Sequence, residues 1–164
     1  EEQVGADMNL LIEIISAIRN IRGEMNISPS KALAAVVQTQ DANINTLIEK
    51  HQDMIINLAK LNSFEVNQKA TRPKSSATSV VGAATIFVPL EGVIDFDLEA
   101  QRLDKEINKL TKELTAVSKK LQNENFLKKA PPDVVEQVKV KHGRILEKQQ
   151  KLEAHLDRIK DLET

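Results

Sequence analysis

The chain has 164 residues, of which 29% are charged and only 2% aromatic, with no Cys, Trp or Tyr and a formal net charge of −1. That composition excludes disulfides and thiolate chemistry, gives no reason to expect an oxidising compartment, and suits long helices rich in Leu, Ile, Lys and Glu better than a sandwich or barrel. No apolar run approaches the roughly 20 residues a membrane span needs, and the N-terminus lacks the basic start and apolar stretch of a signal peptide. A cytoplasmic setting is expected, and the absence of an initiator Met points to a fragment of a longer protein.

From the N-terminus, Met8, Leu11, Ile12, Ile15, Ile18 and Ile21 or Arg22 recur at helical spacing and predict a first helix over 7–23, capped by Asp7 and stopped at Gly23. It keeps apolar surface for some upstream domain to cover. Arg19 and Arg22, three apart, project from one side. They suit either a phosphate clamp or, the favoured reading, pairing with carboxylates such as Glu13 or Glu24. Asn26–Lys31 reads as a loop, because Pro29 disfavours helix at Ser28. Leu33–Thr39 reads as a strand. Asp41 then caps a second helix over about 42–61, with Ile44, Leu47, Ile48, Ile55, Leu58 and Leu61 on its apolar side and His51 as a core-edge residue. Ser63–Asn67 is a short strand and Gln68–Thr78 a mobile loop. Ser79–Leu90 holds two strands bent near Gly82-Ala83, with Pro89 closing the second. Residues 1–95 thus form a small α+β domain.

Residues 96–164 follow a different pattern. Leu103, Ile107, Leu110, Leu114, Val117 and Leu121 step by four and three, which is a heptad seam. Asp95 or Asp97 caps this helix, which runs to about Phe126 and spans roughly 45 Å at 1.5 Å per residue. After a break at Lys128–Asp133, a second limb from Asp133 to about Leu162 repeats the stepping through Val135, Val138, Ile145, Leu152, Leu156 and Ile159. Pro131 and Pro132 suit the start of that helix. His142 and Gln149 are polar intrusions in its seam, expected to fix register at some cost in stability. Gly143 marks a weak point or a close approach. The proline break favours folding back within one chain, so the expected fold class is a small α+β domain followed by a long antiparallel two-helix coiled-coil hairpin.

Charge is distributed unevenly. Residues 1–95 carry eight Lys and Arg against eleven Asp and Glu, whereas residues 105–148 carry eleven against six. A basic outer part on a neutral stalk suits a phosphate-bearing partner. Three scattered His and no Cys exclude the usual zinc sites. Neither a glycine-rich phosphate loop nor a Ser/His/Asp set can be picked out. Carboxylates on the arm alternate with lysines at helix-pairing distances. No catalytic residue and no metal ligand is expected in these residues; the chain binds or positions something.

Two stretches resemble a known family. Ile18-Arg19-Asn20-Ile21-Arg22-Gly23-Glu24-Met25-Asn26-Ile27-Ser28-Pro29-Ser30-Lys31 resembles the end of the anticodon-binding helical domain of valyl-tRNA synthetases. Thr85-Ile86-Phe87-Val88-Pro89-Leu90-Glu91-Gly92-Val93-Ile94-Asp95 resembles their junction with a C-terminal coiled coil. Asn123-Glu124-Asn125-Phe126, Lys129-Ala130-Pro131 and Val134-Val135 are similar to the tip of that arm. The resemblance implies a class I ligase that charges tRNA with valine at the expense of ATP, with ATP bound and the chemistry done by upstream domains and no cofactor in these residues. It implies an arm that contacts the outer corner of tRNA, where the D and T loops meet. The expected partners are valine-specific tRNA and the upstream domains of the same chain, not DNA or a membrane, with the protein a monomer.

Under that reading the contacts come from Lys105, Lys109, Lys112, Lys119, Lys120, Lys139, Lys141, Arg144 and Lys148. Lys105, Lys109 and Lys112 form one stripe, and Lys141, Arg144 and Lys148 another. Phe126 either stacks on a base or, the favoured reading, packs to close the hairpin end. The alternative function is a structural or self-associating coiled coil without RNA binding.

Overall fold

Small and β-branched residues along Leu33–Thr39 put every second side chain on one side of a strand. The computed structural model, which describes residues 1–69 and 71–163, shows strand β1 (Leu33–Thr39) burying Leu33, Ala35, Val37 and Thr39 with half-buried residues between them. It sits inside a four-stranded sheet of order β2-β1-β4-β3, with β2 (Leu61–Asn67), β3 (Ser76–Val81) and β4 (Ala84–Pro89). β1 is parallel to β2 and antiparallel to β4, and β3 is antiparallel to β4. The parallel pair requires a crossover, which α2 (Ala42–Lys50) and α3 (Gln52–Ala59) supply. The β3–β4 pair needs only Gly82-Ala83. Gly82 has φ 55° while Ala83 stays out of the left-handed region, the arrangement of a II′ turn that glycine enters without steric cost.

Helix α1 (Glu2–Glu24) packs on α3, β3 and β4 and buries Leu11, Ile14, Ile15, Ala17, Ile18 and Ile21. With Ile48, Ile55, Val37, Ile86 and Val88, these make the core of an α+β unit, Glu1–Asp95. The helix begins earlier than predicted, since Glu2, Gln3 and Ala6 are good helix formers. Asp7 therefore lies within it and accepts a hydrogen bond from Gln3 at 2.9 Å instead of capping. Met8 and Ile12, expected on the buried side, are exposed together with Val4.

Several boundaries differ from expectation. Asp41 does cap α2, accepting from the Asn43 and Ile44 backbone N–H groups. The predicted single helix over 42–61, however, is two helices broken at His51 (φ −111°, ψ 18°), and Leu61 begins β2. No Gly or Pro marks that break; tertiary packing imposes it. Leu58, expected on the apolar side, is 46% exposed. The predicted loop 68–78 is shorter, because Ser76–Thr78 pair with Val88 and its neighbours in β4. Ala70 in that loop, and Thr164 at the end of the second expected domain, lie outside the described residues.

The second compact unit, Phe96–Glu163, is a long helical region. It comprises α4 (Phe96–Gln122), α5 (Glu124–Lys129) and α6 (Pro132–Glu163). Helix α4 leaves Asp95 just before its start and takes Asp97 into its first turn. It ends at Gln122 instead of Phe126 because Asn123 turns extended and its side chain accepts from the backbone N–H groups of Asn125 and Phe126, capping a new helix. Pro132 occupies the first position of α6, where its missing N–H costs nothing.

Leu110, Val117 and Ile145 form a buried cluster joined by Leu114, Leu121, Val138 and Leu152. Both polar seam residues of α6 find a partner on α4: His142 Nε2 lies 3.1 Å from Ser118 Oγ, and Gln149 Nε2 donates to Thr111 Oγ1 at 2.6 Å. A Cβ built on Gly143 would meet nothing within 4 Å, so the glycine is a weak point and not a close approach. Gly143→Ala is expected to stabilise the helical region by about 0.5–1 kcal/mol, read as a higher urea midpoint by circular dichroism.

Candidate nucleic-acid interface

Buried Leu103, Leu110 and Val117 recur every seven residues along α4, with half-buried Ile107, Leu114 and Leu121 between them. That fixes which way each basic side chain of α4 faces. Lys105, Lys112 and Lys119 each stand two residues after a buried one, roughly 200° around the helix from the seam, and all three are exposed. Lys109 follows Ile107 in the same way and is also exposed. Lys120 lies beside the seam, and its ammonium sits 5.0 Å from the centre of the Phe126 ring. Phe126 is half-buried on α5, so a cation–π contact occupies one face of the ring.

On α6, Lys139, Lys141, Arg144 and Lys148 are exposed. Hydrogen bonds join Thr111 to Gln149 and Ser118 to His142, so positions fall along α6 as they rise along α4. Glu99 faces His155, with 3.8 Å between Oε1 and Nε2. Steps of seven from that pair set Lys148 across from Glu106 and Lys141 across from Glu113. Among the described residues, none of the nine candidate cations forms an ion pair within 4 Å; the ion pairs of the helical region involve Arg102 with Glu99 and Glu106, Lys151 with Glu147, and the His155–Glu99 pair. No metal-holding cluster of His, Cys, Asp or Glu occurs among the described residues, and no helix there is long and apolar enough to cross a membrane.

Arg19 and Arg22 belong to neither predicted arrangement. Arg22 is buried, and its guanidinium donates to four backbone carbonyls, those of Ser28 and Lys31 in the loop after α1 and of Ala59 and Lys60 at the end of α3. Burial pulls its pKa below the usual arginine value. Arg19 Nε donates to the Leu58 carbonyl at 3.1 Å. Both arginines thus engage the C-terminal end of α3, where unpaired carbonyls and the helix dipole favour a cation. Lys31, held through its carbonyl by Arg22, donates its Nζ to the Val93 carbonyl at 2.7 Å.

Sequence reasoning also missed His155. It is buried, with Nδ1 3.4 Å from Arg158 and Nε2 without a hydrogen-bond partner. Burial, then the charge of Arg158, holds its pKa below the normal histidine value against the opposing pull of Glu99. The hydrogen bond from Arg102 holds the Glu99 carboxyl below its normal range. The available signal was position: His155 precedes seam residue Leu156 and lies on the line of Lys141 and Lys148.

A family profile described as the valyl tRNA synthetase tRNA binding arm matches residues 95–160. The chain is 38% identical over 157 residues to the valine–tRNA ligase of Geobacter sulfurreducens, covering 96% of this chain and 18% of that protein. It is 40% identical over 154 residues to that of Nitratidesulfovibrio vulgaris, covering 94% and 17%. Against that of Acinetobacter baylyi it is 38% identical over 158 residues, covering 96% and 16%. The chain therefore spans less than a fifth of the length of these relatives.

Proposed function

We propose, for a chain that belongs to the valine–tRNA ligase family, that residues 96–164 are an antiparallel two-helix coiled-coil arm that binds valine-specific tRNA at its outer corner. Residues 1–95 are a small α+β unit at the end of the anticodon-binding region. The whole protein is a monomeric cytoplasmic ligase that uses ATP, bound elsewhere in its chain, to join valine to tRNA. One coincidence carries the reading: the stretch that matches the tRNA binding arm is also the stretch where nine basic side chains stand exposed and without ion pairs. Such a surface suits phosphates and 2′-hydroxyls, which present themselves without unstacking the A-form helix.

The test is binding of a valine tRNA transcript by the complete chain, followed by fluorescence anisotropy across a salt series. Affinity is expected to fall with salt with a slope set by about four released counterions. A variant carrying Lys109→Glu, Lys112→Glu, Arg144→Glu and Lys148→Glu is expected to bind at least about 100-fold more weakly with unchanged helicity. Undiminished binding by that variant would overturn the assignment. The competing reading, a self-associating coil, is disfavoured because Leu110 and Val117 of α4 are covered by Ile145 and Val138 of the same chain. Sedimentation that stays monomeric as concentration rises would exclude it.

A further inference from the structure

The nine candidate cations are not equivalent. Sorting α4 by position around its axis separates its charges except for Lys120, which lies beside the seam on the line of Glu99, Glu106 and Glu113. Its five acidic residues, Asp97, Glu99, Asp104, Glu106 and Glu113, all stand one residue to either side of a seam position. Its outward side carries Arg102, Lys105, Lys109, Lys112 and Lys119 and no carboxylate. The outward side of α6 is mixed, with Asp133, Glu136, Glu147, Asp157 and Asp161 among Arg144, Lys151 and Arg158.

A solvated helix ordinarily offsets its lysines with carboxylates three or four residues away. Arg102 follows that rule through Glu99 and Glu106. Lys105, Lys112 and Lys119 do not: none has an Asp or Glu at three or four residues in either direction. They line up at steps of seven, about 10 Å apart along the helix. Lys141 and Lys148 likewise lack an Asp or Glu three or four residues away, but steps of seven from the Glu99–His155 pair set them on the flank facing Glu113 and Glu106, although neither forms an ion pair within 4 Å.

The geometry points to the outward side of α4, built on Lys105, Lys112 and Lys119 with Lys109 beside them, as the surface that meets an RNA phosphodiester backbone, with the basic stripe of α6 secondary. This deepens the proposed function and rests on it. Cations in a straight row with no carboxylate on their side of the helix repel one another and gain most from a polyanion, whereas Lys141 and Lys148 lie on the flank where the acids of α4 stand and Arg144 shares its side of α6 with Glu136 and Glu147.

Two triple variants of the complete chain separate the possibilities, each measured against a valine tRNA transcript over a salt series. Lys105→Gln, Lys112→Gln and Lys119→Gln together are expected to lower affinity by about tenfold or more and to reduce the salt slope by about two. Lys141→Gln, Arg144→Gln and Lys148→Gln together are expected to change affinity less than about threefold. Equal losses, or a larger loss from the α6 variant, would overturn the assignment of the α4 face while leaving tRNA binding intact. Failure of the unmodified chain to bind at all would overturn tRNA binding itself. An independent reading uses the absence of cysteine: a photo-crosslinker on Ala116→Cys, on the outward side of α4, should capture the transcript, and one on Gln150→Cys of α6 should not. The reverse yield would also sink the proposal.

Discussion

Replacing Arg22 with leucine is expected to destabilise the Glu1–Asp95 unit by about 3 kcal/mol or more, because the shorter apolar side chain serves none of the carbonyls. The guanidinium ties the end of α1 and the Ser28–Lys31 loop that follows it to the end of α3, which is distant in sequence. A buried carbonyl left without a donor costs about 1–3 kcal/mol, and water reaches part of this site, so the losses do not simply add. Lysine keeps the charge but lacks the planar fork, so Arg22→Lys is expected to fall between, at about 1–2 kcal/mol. Urea denaturation of the complete chain, followed by a probe within the first unit, measures both. A loss below about 1 kcal/mol for the leucine variant would mean that the loop rehydrates freely.

The second large effect is a pH dependence seated on His155. The charged groups facing it are Glu99 and Arg102 of α4 and Arg158 of its own helix. Burial and the neighbouring arginines keep the folded-state imidazole neutral below its normal titration point of 6.5, so the unfolded chain takes up the proton first. The stability this histidine contributes is therefore present above pH 6.5 and is lost as pH falls, by at most about 1.4 kcal/mol per pH unit. Glu99 acts in a separate and more acidic window. Its folded pKa is depressed below 4.5, so its contribution is lost only as pH falls through that lower range. His155→Leu removes a buried nitrogen with no hydrogen-bond partner, so stability at pH 7.5 is expected to stay level or rise. The decline between pH 7 and 5 should flatten. A variant that kept the same decline would place the titrating group elsewhere.

Much of this molecule is legible where the controlling interactions are local. The seam of α4, the β1 strand, the Asp41 cap and the Gly82 turn all follow from spacing or from one residue's own preferences. The break at His51 does not, because no residue there resists helix and only the packing of α3 against α1 and β2 imposes it. Arg22 looked like half of a surface pair because its partners, the carbonyls of residues 59 and 60, are distant in sequence and have no side-chain signature. Asn123 is legible: a favoured capping residue stands directly ahead of Glu124, two residues past the last seam residue, Leu121. The separation of charge on α4 was also in the sequence, but it emerges only when acids and bases are sorted by angle instead of counted along the chain.

The steps of seven on α4 bear on how such a region can change length. Adding one heptad to each long helix would carry the row of lysines a further 10 Å or so along the axis and leave its direction unchanged. Adding three or four residues would swing the row around the axis and turn it toward the flank where the acids stand. Variation among related chains should therefore come in whole heptads, inserted in both helices together, if reach is what selection adjusts and orientation is what it must keep.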